Sequence, residues 1–453
     1  MFKILEDCRV LVFLVVLWCL CLSKTSFAAR ADEFNSDLDE SFSAGYSQKS
    51  FAQSFHSTAF DEPVEETNKE SWETWRFFKG FNFSTTYDSN IFLSRINQKD
   101  DESLIYTPTI GFARKGRYDY FQTFYDLSYV EYIENGKLSR FNHSIISQFG
   151  YYFPKLKIGV YNTFRPDTAY SIGERTELRS AEASRVIAYS DNALGKIDYE
   201  LTSKVRLLYK QRYILFYFPT SSNNSIINKF SSQTHIFNPR ISYRMAPKTD
   251  IYADYEFDTA DFFEGGVYSS KSHVASVGIT NQILPKTSVT LELGYRWRDY
   301  NNNDAAQDEG AYQFKAAASQ QLTHKTSITL WATRDFEEDL DNITSTLSAN
   351  RVVYYYGANL TWQISRHVDF QSGMSIGYAT KDGYLMQTDP DNSSLSFTRR
   401  LNNDFYESNV SLNWNPRPFV SATVGYKYFK KDSSFKNFDY DDHKVITSLK
   451  FKF

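Results

Sequence analysis

From about Gly80 to the C-terminus, apolar and polar residues take turns along the chain with a period of two. In "SVTLELGYRWRDY", Val289, Leu291, Leu293, Tyr295 and Trp297 share one face, while Thr290, Glu292, Gly294, Arg296 and Arg298 share the other. A strand with lipid on one side and water on the other reads this way; a helical period of 3.6 would scatter the same residues around a cylinder. The alternation recurs in "IYADYEFD", with Ile251, Ala253, Tyr255 and Phe257 against Tyr252, Asp254, Glu256 and Asp258. It recurs in "LKIGVYNTFR", with Leu156, Ile158, Val160 and Phe164 against Lys157, Gly159, Tyr161 and Arg165. Near the end, Val420, Ala422, Val424, Tyr426 and Tyr428 oppose Ser421, Thr423, Gly425 and Lys427.

The connections alternate in length. Short turns fall at 153–156, 201–204, 246–250, 284–288, 323–327, 365–369 and 415–418, and five of the seven contain Pro-Lys, Pro-Arg or Lys-Thr, suited to tight hairpins at a wet surface. Between them run longer polar segments such as "PTSSNNSIINKF" and "DGYLMQTDPDNSSLSFTRR". Short turns at one end and long loops at the other is the arrangement of an outer-membrane barrel, with the long loops outward. The pattern predicts eighteen strands, over 80–92, 103–114, 118–133, 140–153, 156–167, 182–199, 204–218, 232–245, 249–262, 270–284, 288–300, 310–323, 327–338, 350–364, 368–380, 402–415, 419–431 and 441–453, with sixteen as the lower count. The fold class is therefore all-β, a transmembrane antiparallel β-barrel, and an even strand number returns both ends to the same membrane face. The last strand, "HKVITSLKFKF", puts Val445, Thr447, Leu449, Phe451 and Phe453 on one face and ends the chain on an aromatic residue. Phe451 and Phe453 resemble the terminal signal read by the bacterial barrel-assembly machinery.

The first 79 residues do not follow this period. Lys3 and Arg9 precede an apolar run from Val10 to Leu22 and then Ser26-Phe27-Ala28, the plan of a removed export signal over 1–28. The run is too short for the roughly 20 residues of a spanning helix. Residues 29–79 are Ser-rich, with 5 basic against 11 acidic side chains, and read as a flexible periplasmic lead-in to a barrel over 80–453. Cys8, Cys19 and Cys21 all lie in the signal, so the remainder has no thiol for a disulfide or a thiolate metal site.

Composition sharpens the picture. Aromatic residues make up 17% of the chain, yet its mean hydropathy is −0.48. A barrel wall produces this mixture, because half of each strand faces water and aromatics gather at both membrane interfaces. Of a formal net charge of −4, residues 80–453 carry +1, and a body so close to neutral argues against a nucleic-acid binder.

Candidate chemistry is sparse. His56, His143, His235, His273, His324, His367 and His443 form no pair at metal-ligand spacing, and His324 and His367 fall in short turns. No phosphate-binding glycine loop or nucleophile elbow occurs, so no catalytic, cofactor or metal residue is assigned and the chain is read as a non-enzyme. Asp254, Asp258 and His273 could meet on adjacent strands, as a rim hydrolase would need. The acidic runs 335–342 and 388–394 could bridge lipopolysaccharide through a divalent cation, though solvated outer loops are the plainer reading. Arg206, Lys210, Arg212, Asp254, Glu256, Asp258, Glu292, Arg296 and Arg298 are the lumen-facing candidates, and such charges imply a polar, wetted interior. Inward Tyr161 and Tyr252 could stack on sugars or simply pack the wall.

The segment "GFNFSTTYDSNIFLS", followed by a polar gap and "DDESLIYTPTIGF", resembles the opening of the putative beta-barrel porin family, type two. Tyr87, Asp88, Ser89, Asn90 and Ile91 match its first turn, and Asp101 and Pro108 its second strand. The resemblance implies an outer-membrane pore, and several members are encoded with exopolysaccharide machinery. It thus implies passage of polar material, polysaccharide or small solutes, with polysaccharide export as the leading reading and periplasmic polysaccharide-export components as partners. The barrel itself is expected to meet outer-membrane lipid and lipopolysaccharide, and its terminal Phe451 and Phe453 the barrel-assembly machinery. The alternatives are a surface receptor or the membrane anchor of a larger envelope complex, then an outer-membrane hydrolase.

Overall fold

Eighteen long strands close into one antiparallel barrel. The computed structural model describes residues 75–91, 98–116, 118–167, 188–217, 231–263, 269–301, 309–338, 350–381, 384–386, 396–398, 401–433 and 439–453. The expected export signal and nearly all of the lead-in lie outside these residues. In chain order the strands are β1 (Arg76–Asp88), β2 (Asp101–Lys115), β3 (Asp119–Tyr132), β4 (Arg140–Tyr152), β5 (Leu156–Asp167), β6 (Ala188–Glu200), β7 (Val205–Tyr217), β8 (Ser232–Ala246), β9 (Thr249–Phe262), β10 (Ser270–Leu284), β11 (Thr287–Tyr300), β12 (Glu309–Thr323), β13 (Thr326–Glu338), β14 (Asn350–Ser365) and β15 (Val368–Lys381). A two-stranded ribbon follows, β16 (Tyr384–Met386) and β17 (Ser396–Thr398), inside a segment expected to be loop. The wall then resumes with β18 (Leu401–Arg417), β19 (Val420–Ser433) and β20 (Tyr440–Lys452). Each wall strand pairs with its sequence neighbours, and β1 pairs with β20 from Gly80↔Lys452 to Asp88↔Lys444, so no edge is left open.

All eighteen expected strands are present, the sixth from Ala188, with its expected residues 182–187 outside the described ones. The first differs in its limits: β1 begins at Arg76 rather than Gly80, which moves 76–79 from the lead-in into the wall. The physical reason is that Phe77, Lys79 and Phe81 continue the outward row of β1, and Lys79 exchanges backbone hydrogen bonds with Phe453 across the closure, at 3.1 and 2.7 Å. β1 also stops at Asp88, because the next residues turn.

The short-turn end repeats one device. At the Ala246, Leu284, Thr323, Ser365 and Arg417 ends of five strands the register shifts by a bulge just before a two-residue turn. Three of these turns place Pro first (Pro247, Pro285, Pro418), where its fixed φ suits the bend. Turns are also joined to one another. The amides of Glu200, Arg244, Gln282, Gln321 and Gln363 donate to the carbonyls of Lys155, Lys204, Lys248, Lys286 and Lys325, at 2.8 to 2.9 Å.

Residue parity sorts the two faces. The outward row leaves large apolar side chains uncovered in mid-strand, including Leu293 at 64% and Val277 at 62% exposure, which water would penalise and hydrocarbon accepts. Inward positions mix polar side chains, among them Ser84, Ser103, Thr109, Ser272, Ser276, Gln313, Ser411 and Lys450, with larger apolar ones such as Phe124, Tyr152, Leu194 and Ile214.

Candidate functional site in the lumen

Three consecutive strands bring an interlocked set of inward charges together. β9 supplies Tyr252, Asp254, Glu256 and Asp258, and β11 supplies Glu292, Arg296 and Arg298. The strand between them, β10, keeps its inward side slim. Its residues Ser272, Val274, Ser276 and Gly278 stand in register between Asp258 and Arg298, Glu256 and Arg296, Asp254 and Gly294, and Tyr252 and Glu292. Side chains from β9 and β11 therefore meet across it. Arg296 Nη2 lies 2.9 Å from Glu256 Oε1, and Arg296 Nη1 4.0 Å from Asp258 Oδ2. The Tyr252 hydroxyl donates to Glu292 Oε2 at 3.0 Å. Gly278 makes that crossing possible, since a Cβ there would sit 2.2 Å from Tyr252 Cζ.

Neighbouring strands extend the network. Arg240 on β8 lies directly opposite Asp254 and reaches Asp254 Oδ2 at 2.6 Å and Glu292 Oε2 at 3.7 Å, with its guanidinium 4.1 Å from the centre of the Tyr252 ring. Asn238 donates to Asp254 Oδ1 at 2.9 Å. On β12, Lys315 lies opposite Glu292 with Nζ 3.5 Å from Oε1. The result is a band of alternating sign across β8 to β12, in which each charge faces an opposite one. Such a band can hold water and pass polar solute, and it gives a moving ion of either sign a partner.

Six of the lumen candidates, Asp254, Glu256, Asp258, Glu292, Arg296 and Arg298, fall within this band or beside it. The other three do not. Arg206 bonds to Asp198 on β6, its Nε 2.6 Å from Oδ1, Arg212 Nε donates to Asn192 Oδ1 at 2.9 Å, and Lys210 stands in register with Lys196. Sequence reasoning missed Arg240, Asn238 and Lys315. "HIFNPRISYRM" does alternate, with Asn238, Arg240 and Ser242 against Pro239, Ile241 and Tyr243, so the signal was present in β8. Tyr161 packs against the buried pair Tyr152 and Leu194, so its ring is part of the wall.

The histidines of the wall lie elsewhere. His143, His235, His273 and His443 are each the fourth residue of their strand, all four on outward rows near the long-loop end. Three of them bond through Nδ1 to a tyrosine on the preceding strand: His143 to Tyr125 at 2.5 Å, His273 to Tyr255 and His443 to Tyr426 at 2.7 Å. His235 lies against the Tyr213 ring at 4.9 Å. The expected meeting of His273 with Asp254 and Asp258 therefore fails, because the odd-numbered His273 points to the lipid side, where it stacks on Trp297, and the two aspartates point inward. Among the described residues, no group of three or more His, Cys, Asp and Glu is placed to hold a metal ion. Of the acidic runs, 388–394 lies outside the described residues, while Asp335 of the other sits in β13.

The first turn closes the seam. Asn90 accepts no exposure at all: its amide donates to Asp88 Oδ1 at 3.0 Å and its Nδ2 to the Asp441 carbonyl at 2.9 Å. Ser89 and His443 exchange hydrogen bonds at 3.0 and 2.8 Å, and Tyr87 donates to Asp100 at 3.1 Å. Lys444 bridges Asp88 and Asp442 at 3.4 and 2.8 Å. Asp101 accepts from the amides of Glu134 and Asn135 at 3.0 and 2.9 Å, fixing the β3–β4 connection.

Residues 224–453 match the family described as "Putative beta-barrel porin 2". The chain belongs to this family. The stretch that matches the beta-barrel porin 2 family contains the whole β8–β12 band, whereas the Tyr87–Asn90 turn precedes it. Solved structures with a similar course include OccK5 (OpdH) of Pseudomonas aeruginosa, at 8% identity over 84% of this chain and 99% of that one, with a TM-score of 0.46. OpdQ of the same organism shares 9% identity over 85% and 100% of the two chains, with a TM-score of 0.45. The DcaP channel of Acinetobacter baumannii shares 10% over 84% and 97%, with a TM-score of 0.43. No curated protein matches the chain. The protein is a porin-like outer-membrane β-barrel.

Proposed function

We infer that this porin-like barrel is a channel rather than a catalyst, that its wetted lumen passes polar, hydroxyl-rich material, and that this cargo is polysaccharide in transit to the cell surface. The observation that carries the reading is the mixed-sign band on the inner wall, with Glu256 and Arg296 2.9 Å apart and Arg240 and Asp254 2.6 Å apart. Ion pairs cost several kcal/mol per charge to desolvate, so a run of them is supported by water in the lumen. Balanced charge favours cargo without strong net charge, and inward Ser84, Thr109, Ser272, Ser276, Gln313 and Ser411 offer the donors and acceptors that sugar hydroxyls use. Membership in a porin family supports the channel, and the likeness of its first turn to barrels encoded beside exopolysaccharide genes motivates the cargo. The assembly machinery would read Phe451 and Phe453, lipid and lipopolysaccharide would cover the outward rows, and periplasmic export components would deliver polymer to the short-turn mouth.

Two measurements test this. Refolded protein in a planar bilayer should conduct, and a closed membrane would remove the channel. Deleting the protein should strip surface polysaccharide from the cell; unchanged polysaccharide beside normal conductance would overturn the cargo alone.

A further inference from the structure

The short-turn end of the barrel carries a ring of positive charge. Lys155, Lys204, Lys248, Lys286, Lys325 and Arg366 each occupy one short turn, and all six are exposed. Arg417 ends the strand before a seventh turn. No acidic residue occurs among the described turn residues. The acids nearest to them, on strand ends, are Asp119, Glu200, Asp250 and Asp369, of which Asp119 and Asp250 already face Arg114 at 4.0 Å and Arg244 at 3.4 Å. The turn-to-turn hydrogen bonds hold these cations at a regular pitch, two strand spacings or roughly 10 Å apart.

Two further facts bear on the ring. β1 starts at Arg76, at this same end. Immediately before it the sequence reads "DEPVEETNKESWET", in which Asp61, Glu62, Glu65, Glu66, Glu70 and Glu73 stand against a single base, Lys69. We propose that residues 61–74 dock on the cationic ring of the short-turn rim, making the acidic lead-in a seated part of that mouth. Extended, this stretch reaches about 45 Å at 3.3 Å per residue, enough to pass several turns. A tether this short supplies an effective concentration on the order of mM, which an untethered anion would have to match. One exposed pair contributes little, but six carboxylates along a fixed row of cations act together, and salt weakens them. The inference is independent of the cargo.

Carbodiimide coupling of the full chain in neutral detergent, read by mass spectrometry, tests it. At about 0.01 M salt, where the Debye length is about 30 Å, amide links should join Glu65, Glu66 or Glu70 to Lys155 and Lys204. At about 1 M salt, where it is about 3 Å, they should vanish. Replacing the six lead-in acids by their amides should abolish the links, as should Lys155→Gln with Lys204→Gln, with heat-modifiable gel migration confirming that each variant still forms the barrel. Links that persist in high salt, or that run to Lys99 and Lys137 at the opposite end, would overturn the proposal. So would their loss in nanodiscs of anionic lipid, which would assign the ring to headgroups.

Discussion

Gly278 shows how a single missing methyl group shapes the lumen. The residue has no special turn to make; its role is to leave room for Tyr252 to cross β10 and reach Glu292. Gly278→Ala should push the ring aside and cost about 1 to 3 kcal/mol, and chemical denaturation of refolded protein in micelles would measure it. Tyr252→Phe should cost less, about 1 kcal/mol, because only one hydrogen bond goes. Arg240 and Arg296 carry much of the positive charge of the band. Replacing both with Gln leaves Asp254, Glu256 and Glu292 with fewer partners, so reversal potentials in a salt gradient should shift toward cations; an unchanged potential would place the band away from the conduction path. Alternation in the sequence told which side chains point inward along β9 and β11. It could not tell that Glu256 meets Arg296, because that contact depends on the register of β10 and on the small residues that β10 presents.

Strands were legible because a half-lipid, half-water strand has to alternate, and their limits were less so. β1 runs four residues earlier than its expected start because Phe77 and Phe81 already occupy the outward row. The ribbon of β16 and β17 was missed because three-residue strands are too short to show a period. The Tyr87–Asn90 turn was visible as a motif, but its work was not. It clamps the first strand to the last at the long-loop end, through Asn90 to Asp441 and through Asp88 to Lys444. Asn90→Ala would leave the Asp441 carbonyl without this fully buried donor. Its expected cost is about 1 to 3 kcal/mol, seen as a lower temperature for the shift from folded to unfolded gel mobility.

The whole barrel depends on which side of the wall is dry. Leu293→Arg, at the middle of β11 on the outward row, should destabilise insertion by roughly 2 to 4 kcal/mol, while Thr290→Arg, on the inward row of the same strand, should be close to neutral. Equal costs in a bilayer unfolding titration would show that the two faces had been assigned wrongly. The four histidines at matching strand positions are consistent with this orientation, each held against a tyrosine at a height where amphipathic rings settle.

The backbone bonds that link one short turn to the next make that end behave like the hoop of a cask. No turn there can open without loosening its neighbour, so the amides of Glu200, Arg244, Gln282, Gln321 and Gln363 should trade hydrogen for deuterium together, in one slow cooperative step, rather than fraying one hairpin at a time.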